Sequence, residues 1–84
     1  MYRIMIVEDD EVIARAVQQS LVSWGMDAFC VQDFSSVLAE FAVKNPQLVL
    51  MDIHLPFFNG FHWCQEIRKV SKVPVIFFLL HRTT

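Results

Sequence analysis

Leu48-Val49-Leu50-Met51-Asp52 constrains the fold more than any other stretch of this chain. Four apolar residues without polar alternation run into one carboxylate, and Pro56 follows four residues later. A short apolar run of this kind suits a strand buried on both faces of a parallel sheet. Open α/β sheets bind ligands at the carboxyl ends of such strands, and Asp52 stands at that end. A charge is not tolerated inside the strand, so Asp52 faces a crevice or is paired. Taken alone, such an Asp is most simply a turn or a helix cap.

The flanking sequence repeats the theme. Arg3-Ile4-Met5-Ile6-Val7 reads as a buried strand, followed by the acids Glu8-Asp9-Asp10-Glu11. Ile13, Ala16, Val17, Leu21 and Trp24 then recur at helical spacing, and Gly25 suits a helix stop. Asp27 to Val31 reads as a second strand. Asp33 is placed to cap a second helix with Phe34, Val37, Leu38, Phe41 and Ala42 on its inner face, and Asn45-Pro46 ends it. After the Leu48–Asp52 strand, residues 55–60 form a loop. A third helix is expected from Phe61 to Val70, with Cys64, Ile67 and, at the margin, Phe61 turned inward. Pro74 opens a fourth strand, Val75 to Leu80. Alternation of this kind implies an α/β fold, a doubly wound parallel sheet with helices on both faces.

Composition removes several function classes. The chain has 84 residues, enough for one small domain with a modest core. Its apolar content of 55% argues for a folded chain. A net charge of −2 disfavours unaided binding of nucleic acid or an acidic membrane. The most apolar run, residues 75–80, is too short to span a bilayer. No secretory signal is visible, and Cys30 and Cys64 lack metal-type spacing. A cytoplasmic protein with reduced thiols is therefore expected.

In a parallel sheet the ends of the first and third strands are neighbours when those strands pair. Glu8 and Asp9 then lie near Asp52. Clustered carboxylates repel one another unless a cation sits among them. Oxygen-only ligands in an open crevice suit Mg²⁺ better than Zn²⁺. A carboxylate beside such an ion can also attack phosphorus. The residues alone leave two readings open, a divalent-cation site and a plain acidic cap.

The motifs together resemble a bacterial two-component response-regulator receiver domain of the OmpR-type, winged-helix subfamily. They are Ile6-Val7-Glu8-Asp9-Asp10, Asp52-Ile53-His54-Leu55-Pro56 with Gly60, and Lys72-Val73-Pro74-Val75-Ile76. The resemblance implies a flavodoxin-like sheet in the order 2-1-3-4. It implies that Asp52 accepts a phosphoryl group from a sensor histidine kinase and that Mg²⁺ is the cofactor. By the same resemblance Asp9, Asp52 and the backbone carbonyl of His54 are metal ligands, and Glu8 acts through a water. Pro56 and Gly60 shape the loop beside the acceptor. The implied class is a signalling module for a transcriptional response, not a turnover enzyme.

The family pattern is not complete in this chain. Leu79 stands where a Ser or Thr is expected at the end of strand four. The family's further helix, strand and helix, with their lysine, are not seen. The resemblance is expected to end near Phe78, as in a C-terminally shortened or frame-shifted chain without an effector domain, which would not bind DNA itself. Loss of one charge-stabilising donor typically costs about 3–4 kcal/mol in a transition state, so slow or absent phosphorylation is expected. A phosphorylation-independent module or decoy, binding a kinase or a full-length regulator, is the alternative. Strand four is expected to be an edge that self-associates.

Overall fold

The computed structural model describes residues 2–78. The element order is β1 (Arg3–Val7), α1 (Glu11–Ser23), β2 (Asp27–Cys30), α2 (Val37–Lys44), β3 (Leu48–Met51), α3 (Gly60–Arg68) and β4 (Val75–Phe77). The four strands form one parallel sheet in the order β2-β1-β3-β4. The expected doubly wound, flavodoxin-like sheet in the order 2-1-3-4 is therefore what the chain adopts. Leu79, and with it the expected end of strand four at Leu80, lies outside the described residues.

Strand alternation divides the core into two layers. Met5, Val7, Val49 and Met51 point to one face and pack with Val37, Phe41, Trp63 and Ile67. That face is covered by α2 and α3, which also pack against each other. Ile6 points the other way, to Ala14, Ala28, Val17 and Leu21, under α1. Both faces of β1 are thus closed, and its residues from Ile4 to Val7 are buried. Full burial of a side chain of this size is worth about 1.5–3 kcal/mol each, which explains the unbroken apolar run.

Local sequence sets the helix ends. The Asp10 carboxylate accepts hydrogen bonds from the backbone N–H groups of Val12 (3.0 Å) and Ile13 (3.2 Å), capping α1. Gly25 takes φ +86°, the left-handed conformation expected of it. Asn45, at φ 47°, ends α2 immediately before Pro46. Asn59 Oδ1 accepts from the His62 N–H (2.9 Å) and starts α3.

Several expectations need correction. Asp33 does not cap α2, which begins at Val37. Its carboxylate instead accepts from the N–H (3.0 Å) and hydroxyl (2.6 Å) of Ser35, and these bonds hold its pKa below the usual Asp range. The Glu40 carboxylate reaches back to the N–H groups of Gln32 and Asp33, fixing the turn from the other side. Trp24 lies just past the last turn of α1 and is 71% exposed, while Ala16 and Ala42 also face solvent. The third helix runs one residue earlier than expected at its start and two residues shorter at its end. Trp63, not Phe61, is its large buried aromatic. Periodicity counted every apolar residue, whereas a helix over a sheet buries only one narrow stripe.

Candidate metal and phosphoacceptor site

The register of the sheet assembles the site. β1 and β3 are neighbours, with Val7 paired to Met51, so the residues that follow each strand emerge side by side. Glu8, Asp9 and Asp52 each offer a carboxylate oxygen, and these oxygens lie within 4.8 Å of one another. Glu8 is 2% exposed and Asp52 3%, whereas Asp9 is exposed. The four-acid run is therefore divided by role. Asp10 and Glu11 serve the start of α1, and Glu8 and Asp9 join Asp52. A cluster of this kind, with hard oxygen donors open on one side, can hold a divalent cation.

Backbone bonds fix the acids. Glu8 Oε2 accepts from the Asp10 N–H (3.1 Å). The Asp52 N–H donates to the Val7 carbonyl (2.8 Å), and the Phe78 N–H donates to the Met51 carbonyl (2.8 Å). Asp52 thus sits where hydrogen bonds from both neighbouring strands reach β3. The Gly60 N–H donates to the Ile53 carbonyl (2.8 Å), closing residues 53–60 into a compact loop. His54, two residues after Asp52, is exposed.

The loop itself is aromatic and strained. The Phe58 N–H donates to the Pro56 carbonyl (2.9 Å), a γ-turn with Phe57 in the middle at φ 70°. Positive φ is unfavourable for a residue with a Cβ, and the Phe57 ring is 75% exposed. Phe58 stacks on His62 at 4.2 Å between centroids and meets Trp63 edge-on at 5.6 Å. Phe61 packs on Phe77 of β4 at 5.1 Å. By sequence, Asn59 falls within the expected loop and Trp63 is not among the expected inward residues, yet Asn59 starts α3 and Trp63 is buried. The Asn-Gly pair before an apolar helical pattern carries the signal for Asn59. A half-open cavity of about 480 Å³ adjoins the acids on the α1 side. Glu8, Asp9, Arg15, Gln18 and Gln32 help to line it, but Asp52 does not.

Comparison with known proteins agrees with this geometry. Residues 4–84 match the family model for the response regulator receiver domain. The match runs through residues 79–84, beyond Phe78, where the sequence reading had the resemblance end. The chain is 46% identical over 77 residues to the sensory transduction protein BceR of Bacillus subtilis strain 168, covering 92% of this chain and 33% of that protein. It thus spans about a third of the length of that relative. Its fold is similar to the N-terminal domain of the nisin resistance regulator NsrR, with TM-score 0.84 and 42% identity, covering 92% of this chain and 65% of that one. It is also similar to the response regulator TrrA of Thermotoga maritima in complex with Mg²⁺-BeF, with TM-score 0.83 and 29% identity, covering 92% and 68%.

Proposed function

The chain belongs to the response-regulator receiver domain family, and from that premise we propose that it accepts a phosphoryl group on Asp52 from a sensor histidine kinase. The observation that carries this reading is the convergence of Glu8, Asp9 and Asp52 within 4.8 Å at the ends of β1 and β3. A carboxylate oxygen of Asp52 attacks phosphorus, the P–N bond of the donor phosphohistidine breaks, and the imidazole leaves with the bonding pair. The product is an acyl phosphate on Asp52. The acidic donor set suits Mg²⁺; Asp9, Asp52 and the His54 carbonyl would hold it, and Glu8 would act through a water. When bound, that ion screens the repulsion between the acceptor and the phosphoryl oxygens. The chain's own part is to hold Asp52 at a fixed point and to keep Glu8 oriented by the Asp10 N–H.

The complex of the similar TrrA with Mg²⁺-BeF supports the choice of ion. The output is a transcriptional response delivered by a longer protein, in keeping with the length of the curated relatives. The protein works in the cytoplasm. No helix among the described residues is long and apolar enough to cross a membrane. Chains associate through β4, the last described strand of the sheet, where Ile76 is 54% exposed.

Incubation with acetyl phosphate and Mg²⁺, followed by intact-mass measurement, tests the acceptor. Wild type gains one phosphoryl group and Asp52→Ala gains none. A wild-type chain that stays unmodified, yet is retained by the kinase as well as Asp52→Ala is, would replace this reading with that of a phosphorylation-independent interaction module.

A further inference from the structure

The first residue of α3 touches the acceptor's backbone. A Cβ built on Gly60 would overlap the carbonyl oxygen of Asp52, and it would lie 2.9 Å from Met51 Cγ and 3.1 Å from the Asp52 carbonyl carbon. Two of these three atoms belong to the main chain and cannot swing aside. The third belongs to Met51, which is fully buried. Conformation gives no reason for glycine here. Among the described residues the glycine with positive φ is Gly25, not Gly60. On helix propensity alone, alanine would be preferred at position 60. The close approach is maintained from both sides, by the Gly60 N–H on the Ile53 carbonyl and by the Asn59 side chain that starts α3.

We propose that Gly60 is a positioning residue for Asp52, required because α3 begins in contact with the acceptor's peptide. Any side chain at position 60 displaces the Asp52 carbonyl, and the carboxylate of the same residue, whose N–H is bonded to the Val7 carbonyl, moves with it. The inference rests on the reading of Asp52 as a metal ligand and acceptor, and it adds the residue that sets where that carboxylate stands. Sites of this kind tolerate displacements of only about half an ångström.

The test uses the full chain, with Gly60→Ala compared to Gly25→Ala. Gly25 has φ +86° and open space around its Cβ position, so its substitution strains the backbone far from the acids. Gly60→Ala is expected to weaken Mg²⁺ binding by about tenfold or more in a calorimetric titration. It also speeds hydrogen exchange at the Asp52 amide relative to Met5 and Ile6. Gly25→Ala lowers Tm and leaves both readouts as in wild type. A folded Gly60→Ala with wild-type Mg²⁺ affinity and Asp52 exchange overturns the proposal. If Gly60→Ala does not fold, Asn59→Ala decides, since it frees the start of α3 without adding an atom. Faster Asp52 exchange supports positioning, and unchanged exchange refutes it. A wild-type chain that takes no Mg²⁺ refutes the metal reading instead, and amide exchange then judges Gly60 alone.

Discussion

The two faces of the sheet are closed to different degrees. On the α2–α3 face, Met5, Val7, Val49 and Met51 are all fully buried across β1 and β3. On the α1 face, burial falls along the register. Ile6 is sealed, its β3 partner Leu50 is half-buried, and Leu50's β4 partner Ile76 is mostly exposed. The cause is the number of helices. Two cover one face, whereas among the described residues α1 alone covers the other, and it packs on β1 and β2. The site lies at the carboxyl ends of β1 and β3, where the α2–α3 face is fully closed and Glu8 and Asp52 are buried.

The sharpest way to break this contrast is a pair of truncations. Ile67→Ala, under the two-helix face, is expected to cost about 2–5 kcal/mol in denaturant unfolding. A cost equal to that of an exposed position would show that this face is not the stable one. Asp10→Ala removes the cap of α1, the single cover of the other face. A loss of about 1 kcal/mol is expected, with faster amide exchange in β2 than in β3. Phe57→Gly relieves positive φ at a ring that buries little. A gain of up to about 1 kcal/mol is expected, because glycine's own entropy offsets part of the relief. An unchanged Tm would mean that the Phe57 side chain supplies packing equal to its strain. Ile76→Lys sits at the thin end of the weaker face. It should shift stability by less than about 0.5 kcal/mol, but lower the apparent mass in size-exclusion chromatography with light scattering. If wild type is already monomeric at high micromolar concentration, β4 is not an association edge.

Much of the fold was legible because each level of the sequence agreed with the next. The apolar runs at 3–7 and 48–51, the stops at Gly25 and Asn45-Pro46, and the alternation of elements all required one parallel sheet. The errors of burial fell at the margins of the apolar helix faces. Trp24 and Phe61 have the right type and spacing for a core but lie outside the buried stripe, and Trp63 lies within it. Which residue of a wide apolar face becomes buried depends on how the helix is rotated on the sheet, and spacing does not set that angle.

The sequence by itself determined the kinds of group available: three acids after two buried strands, and a proline-bearing loop that ends in Asn59-Gly60. Strand pairing decided that Glu8 and Asp9 meet Asp52, because β1 lies against β3 in a register that aligns Val7 with Met51. Packing alone decided why position 60 is glycine. The requirement is a distance to the Asp52 carbonyl eight residues earlier in the chain. No local propensity encodes such a distance, since it exists only once α3 has been laid against the end of β3.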